Sequence, residues 1–191
     1  LKYLHENNII HRDIKCLNLF IGKDGLIKIG DMGVSKIVSN LNALHCSKVG
    51  TPLYLAPELI KQIPYDYKVD IWSAGCSIYH ISTLDPPFFG DNVIILGQNI
   101  IKGKIDIGKL SNYSSLIKNI ICKMLSLKPS ERPTADEIIK LIPIKIYEQF
   151  NNPSLPLEKK AGKSCKELIK NNINIEKLPL NNMQTINYKS N

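Results

Sequence analysis

Changes of hydrophobic period divide the chain into a few predicted elements. Leu1 and Leu4, followed by the polar Glu6-Asn7-Asn8, read as the last turns of a helix. Two short β-rich runs come next, 19–21 and 27–29, on either side of Gly22-Lys23-Asp24-Gly25. With Asp24-Gly25 as a turn signal, that pattern predicts a strand, a turn and a strand. Residues 31–58 sustain no period and are rich in Ser, Asn, Gly and Lys. So long a loop in a compact domain is usually functional or disordered. Beyond Glu58 the spacing becomes helical and predicts helices over 69–83, 93–101, 113–125 and 134–141. Thr134 with Glu137 three residues later makes a capping box, and Pro133 before it suits a helix entry. From about Phe150 the period fades among Asn, Lys and Pro, so 149–191 is expected to be a mostly disordered tail with one short helix near 166–170.

Length and composition then bound the class. A chain of 191 residues can hold one domain with a real core plus appendages. No apolar run approaches the roughly 18 residues that suggest a bilayer span, and no membrane partner is expected. The net charge of +8 is unevenly placed: residues 157–191 hold seven lysines against three glutamates, half of the excess. The rest is only mildly basic and shows no arginine-rich helix or aromatic-interleaved strip, so nucleic acid is not an expected partner. Five cysteines stand singly, Cys16, Cys46, Cys76, Cys122 and Cys165, without C-x-x-C spacing. They are expected to be reduced and mostly buried, in a cytoplasmic protein or one acting at the cytoskeleton or nucleus. Leu1 opens the chain inside a helix, which reads as a fragment, and no signal peptide pattern is visible there.

The chemistry lies in an ordered series of short motifs. His11-Arg12-Asp13-Ile14-Lys15-Cys16-Leu17-Asn18 fits H-R-D-x-K-x-x-N, and thirteen residues after Asn18 stands Asp31-Met32-Gly33. Gly50-Thr51-Pro52, Ala56-Pro57-Glu58, Asp70-Ile71-Trp72-Ser73-Ala74-Gly75 and Arg132 in Glu-Arg-Pro complete the order. Taken singly, Asp13 is a turn aspartate, Lys15 a solvated cation and Asn18 a capping side chain. Taken together, the six elements resemble the eukaryotic protein kinase family over roughly residues 1–145. The tail's Ala161-Gly162-Lys163-Ser164 ends like a phosphate-binding P-loop, but Leu157 stands where its first glycine belongs and no strand precedes it.

The resemblance implies an α+β, protein kinase-like fold. It would be a mainly helical C-terminal lobe carrying a small catalytic-loop hairpin over residues 1–148, with the N-terminal lobe absent. It also implies transfer of the γ-phosphoryl group of ATP, with Mg²⁺, to serine or threonine hydroxyls of protein substrates. In that scheme Asp13 accepts or orients the substrate proton, and Lys15 places a cation by the transferring phosphoryl group. Asn18 and Asp31 ligate the metal, and Phe20 packs beneath the adenine. Lys15 and Thr51 mark the serine/threonine type, with the Thr51 hydroxyl expected near Asp13 and Lys15. Arg12 pairs with a phosphate on the 31–58 segment, at Ser47 or at its rivals Ser35 and Ser39. Glu58 and Arg132 form a buried ion pair, Asp70 binds the catalytic-loop backbone, and His11 is a packed support. Trp72, Gly75 and the remaining histidines serve packing.

Val34-Ser35-Lys36, Val49-Gly50-Thr51-Pro52-Leu53-Tyr54 and the run ending at Cys76 are most similar to the NIMA-related kinases, a group concerned mainly with the cell cycle, cilia and microtubules. Met32 replaces the phenylalanine of D-F-G and is expected to fill the same packing role. No glycine-rich loop or Val-Ala-x-Lys strand is present, so the isolated chain is expected to bind ATP poorly and turn over negligibly. The alternative is a noncatalytic module that presents the substrate-docking lobe. Intact Asp13, Lys15, Asn18 and Asp31 favour the catalytic reading.

Overall fold

One helix is buried on nearly every side and organises the core. It spans Lys68–Thr83, and Val69, Ile71, Trp72, Cys76 and Tyr79 on it are at most 1% exposed. A helix buried all round belongs inside a fold. The computed structural model describes residues 1–23, 26–33, 36–37 and 52–142. In chain order these form α1 (Lys2–Glu6), β1 (Ile9–Ile10), a 3₁₀ turn (Cys16–Asn18), β2 (Leu19–Ile21), β3 (Ile27–Ile29) and β4 (Lys36–Ile37). A second 3₁₀ turn (Pro52–Tyr54) leads to α2 (Pro57–Ile60), α3 (Lys68–Thr83), α4 (Val93–Lys102), α5 (Ser115–Met124) and α6 (Ala135–Leu141). The arrangement is α+β and mostly helical.

The strands make two antiparallel pairs. β2 and β3 pair Leu19 with Ile29, Phe20 with Lys28 and Ile21 with Ile27, at the bounds the sequence predicts. Their turn residues, Asp24 and Gly25, lie outside the described residues. β4 pairs with β1, Ile9 with Ile37 and Ile10 with Lys36. The sequence reading left 31–58 without regular structure, so β4, the Pro52–Tyr54 turn and α2 correct it. Elements of two to four residues are too short to establish a period.

The helices follow the predicted pattern, with ends set by caps. α5 starts two residues later than its apolar spacing suggests because the Ser114 side chain accepts from Ile117 N–H. α4 runs to Lys102, where Gly103 at φ 66° takes the left-handed turn that glycine adopts at no steric cost. Thr134 and Glu137 form the reciprocal capping box at α6. Such an N-cap is typically worth ~1 kcal/mol.

α3 meets α5 closely at Gly75, where an added Cβ would lie 2.9 Å from Met124 Cβ. The Trp72 ring stacks on Phe88 with centroids 5.5 Å apart. Ser73 Oγ lies within hydrogen-bond distance of Val69 O and Tyr54 O, and Ser77 Oγ donates to Ser73 O, so the buried serines of α3 are satisfied. Of the cysteines, Cys76 is buried, whereas Cys16 and Cys122 are only partly so; Cys46 and Cys165 are outside the described residues. Among the described residues, then, one thiol is buried and two are partly buried, and Cys16 still packs against the main core cluster. Burial pushes the Cys76 thiol well above its usual pKa. Among the described residues no helix is long and apolar enough to cross a membrane.

Candidate active site

The site is assembled on the loop between β1 and β2, and α3 holds that loop in place. Asp70, in the first turn of α3, is fully buried. Its Oδ2 accepts from His11 N–H and its Oδ1 from Arg12 N–H, each at 2.8 Å. Arg12 has φ 69°, a left-handed conformation that costs a non-glycine residue on the order of 1–3 kcal/mol. Two charge-assisted hydrogen bonds from one carboxylate offset that cost and fix the turn. His11, also fully buried, sits beneath it. Its Nε2 lies 3.1 Å from Gly30 O, and its Nδ1 accepts from Asp13 N–H at 3.3 Å. Both bonds form together only in the tautomer with the proton on Nε2.

The turned backbone delivers Asp13 into a cluster. Lys15 Nζ donates to Asp13 Oδ2 at 2.6 Å, and the side chains are 19% and 11% exposed. Asn18 Nδ2 donates to Asp13 O at 2.8 Å and reaches Asp13 Oδ2 at 3.1 Å. Three residues separated by two and three positions meet because the 3₁₀ turn brings Asn18 N–H back to Lys15 O. The hydrogen bonds from the Lys15 and Asn18 side chains to the Asp13 carboxylate both fall on Oδ2.

Asp31 arrives from the other strand. Gly30 N–H donates to Asn18 O at 2.9 Å, extending the hairpin register by one pair and placing Asp31 next after Asn18's partner. Asp31 has φ 57°, and its Oδ1 accepts from Gly33 N–H at 3.2 Å. Asn18 Oδ1 and Asp31 Oδ2 are not engaged by other described residues. These are hard oxygen donors, suited to Mg²⁺. No group of three or more His, Cys, Asp or Glu able to hold a metal occurs among the described residues.

Phe20 is 56% exposed on β2, and its ring lies so close to Gly30 that an added Cβ there would sit 2.6 Å from a ring carbon. Met32 is 45% exposed. It follows Asp31 where the chain leaves the hairpin, and it is not among the residues that form the buried apolar core.

Beneath the site, Arg132 and Glu58 face each other fully buried, with Nη1 to Oε1 at 2.6 Å and Nη2 to Oε2 at 2.8 Å. The guanidinium lies over the Trp72 ring, 4.9 Å from its centroid. Lys68 Nζ donates to Arg132 O, so a second buried cation braces the pair. Thr51, Ser47, Ser35 and Ser39 lie outside the described residues, as do the 149–191 tail and the short helix expected near 166–170.

Sequence reasoning missed three contributors. His5 Nε2 lies 2.9 Å from Asp70 Oδ2, with the two side chains 8% and 0% exposed. Lys68 stands next to the motif without being part of it. The Tyr54 hydroxyl lies 3.0 Å from His80 Nδ1, joining the turn before α2 to α3. His5 and Asp70 are 65 positions apart, and no local spacing rule relates them.

Comparison with known proteins agrees with this geometry. The protein kinase domain family matches residues 1–142. Serine/threonine-protein kinase Nek4 of Mus musculus is 37% identical over 172 residues, which is 90% of this chain and 21% of that protein. Nek3 of Oryza sativa subsp. japonica is 42% identical over 141 residues, 73% of this chain and 24% of that protein. Nek5 of Homo sapiens is 34% identical over 181 residues, 85% of this chain and 25% of that protein. The chain thus spans a quarter or less of the length of these relatives. It belongs to the protein kinase domain family, within which its likeness is to the Nek serine/threonine kinases.

Proposed function

We propose that this domain transfers the γ-phosphoryl group of ATP to serine or threonine hydroxyls of protein substrates. The observation that carries the reading is the Asp13, Lys15 and Asn18 cluster, seated on a backbone turn that Asp70 holds from below. In phosphoryl transfer there is little covalent work for the protein, and rate comes from positioning and charge stabilisation.

Asp13 takes up or orients the proton as the substrate hydroxyl oxygen bonds to the γ-phosphorus and the bond to the bridging oxygen of ADP breaks. General-base help of this kind is worth about 10²- to 10⁴-fold. Lys15, fixed 2.6 Å from Asp13, offers its ammonium to the oxygens on which charge develops. Asn18 and Asp31 would hold Mg²⁺ through their amide and carboxylate oxygens, and Phe20 would lie against the base. Bound Mg²⁺ supplies neutralisation of the phosphate charge. Thr51 near this cluster, and phosphorylation of Ser47 read by Arg12, belong to the same proposal.

The 191 residues hold no G-x-G-x-x-G loop. The reading assigns the grip on ATP to sequence in a longer protein of which this domain is part, acting in the cytoplasm or at the cytoskeleton or nucleus. It is tested by expressing both this chain and the longest open frame containing it, with [γ-³²P]ATP, Mg²⁺ and a serine/threonine/tyrosine peptide library. Label on phosphoserine or phosphothreonine that is lost with EDTA is expected from the longer protein. Label on tyrosine, or none from any frame, contradicts the proposal and leaves a binding module.

A further inference from the structure

Away from the catalytic loop, the segment between α3 and α4 presents two consecutive phenylalanines with opposite fates. Phe88 is 2% exposed and stacks on Trp72, whereas Phe89 is 69% exposed. The exposed ring is not on a slack loop. Asn99 Nδ2, from α4, donates to Phe89 O at 2.9 Å. Gly90 then passes so close to α4 that an added Cβ would lie 2.4 Å from Leu96 N. Phe89 is therefore clamped on both sides, by the buried Phe88 and by the α4 backbone, with its ring held toward solvent.

Beside it opens a cavity of about 210 Å³, lined by Pro87, Phe88, Phe89, Asn99, Lys102 and Lys104. Its volume is ample for an aromatic side chain. The lining carries two ammonium groups and no carboxylate. Neither Lys102 nor Lys104 forms an ion pair among the described residues, while nearby Lys109 is paired with Asp85 at 2.8 Å. Asp91 lies two residues beyond Phe89 and Asp106 two beyond Lys104, but neither lines the cavity. Asp106 is turned to its own backbone, accepting from Gly108 N–H at 2.9 Å.

A rigid exposed aromatic beside an apolar floor, rimmed by unpaired cations, has the parts of a peptide anchor site. We propose that this face docks an acidic protein segment that inserts one large apolar or aromatic side chain beside Phe89 and sets its carboxylates against Lys102 and Lys104. The charge of the lining selects the acidic partner, and the clamped ring lowers the ordering cost of binding. The site is separate from the Asp13 cluster, so docking does not depend on phosphoryl transfer.

The test is fluorescence anisotropy of the 191-residue chain with a labelled peptide of one tryptophan flanked by glutamates. Controls are the same peptide with alanine for tryptophan and with lysines for the glutamates. Saturable binding weakened tenfold or more by Phe89→Ala, by Lys102→Glu with Lys104→Glu, and by each peptide change is expected. Rising salt should weaken it further. Phe89, Lys102 and Lys104 are exposed, so circular dichroism melts of the variants should match wild type. Equal binding by wild type and variants, or by the alanine and glutamate peptides, overturns the proposal. So does displacement by oligo-dT that is indifferent to Phe89→Ala, since that marks a plain polyanion surface. Asp13→Asn is expected to keep peptide binding, so this result stands or falls apart from the kinase reading.

Discussion

Removing the Glu58 carboxylate should be among the most damaging single changes in this domain. Arg132 uses all five of its N–H donors: Nε to Ser126 O at 2.8 Å, Nη1 to Glu58 Oε1 at 2.6 Å and Lys68 O at 3.1 Å, Nη2 to Glu58 Oε2 at 2.8 Å and Leu127 O at 3.3 Å. Its side chain is 0% exposed, so Glu58→Ala strands a guanidinium that water cannot reach. Breaking a buried pair from one side costs about 3–5 kcal/mol, roughly two to three and a half powers of ten in the folding equilibrium. Arg132→Lys should also fail. An ammonium has three donors for five acceptors, and each buried acceptor left unmade costs about 1–3 kcal/mol. Urea unfolding followed by circular dichroism measures both, provided the slope with urea stays the same. Glu58→Gln with Arg132→Met should cost less than the sum of the two single changes, by about 0.5–3 kcal/mol of coupling. A Glu58→Ala cost below ~1 kcal/mol, or simple additivity, would falsify the claim that this pair braces α2 against the helical core.

Other consequences follow from specific contacts. Burial holds the His80 imidazole below its ordinary pKa of about 6.5, with Asp85 opposing the shift. The unfolded chain then binds more protons as pH falls below about 6.5, so stability present above that value is lost on acidification. His80→Gln should flatten the fall in Tm between pH 7.5 and 5.5, and an unchanged slope would contradict this. Gly75→Val should destabilise by about 1–3 kcal/mol in the same urea assay, because its side chain enters space held by Met124 and Leu125. A neutral result would show that α3 and α5 can part. In the longest protein containing this chain, His5→Leu should lower kcat on the order of tenfold with KM for ATP unchanged, as loss of one charge-assisted hydrogen bond to Asp70 loosens the turn at Arg12. His5→Gln should restore part of the rate; equal defects in both variants would argue against positioning through Asp70.

Much of the fold was legible because its signals are local. The strands at 19–21 and 27–29 and the helices beyond Glu58 declare themselves by period, and Ser114, Thr134 and Gly103 refine their ends by capping chemistry. β4 was not legible, since two residues have no period and its existence depends on β1 a long way back. Of the candidate site, Asp13, Lys15 and Asn18 lie within six residues, and a single turn gathers them. His5 and Lys68 could not be read, because their importance lies in reaching Asp70 and Arg132 across the fold.

The central claim is that Asp13 serves phosphoryl transfer to serine and threonine. It is tested most directly by comparing the longest protein containing this chain with its Asp13→Asn variant for ³²P transfer from Mg·ATP to a serine/threonine peptide. Asparagine keeps the size of the side chain but removes the charge that pairs with Lys15 and the ability to take a proton. The account expects ATP binding to persist and kcat to fall by about 10²-fold or more. Transfer at the wild-type rate by Asp13→Asn would contradict it.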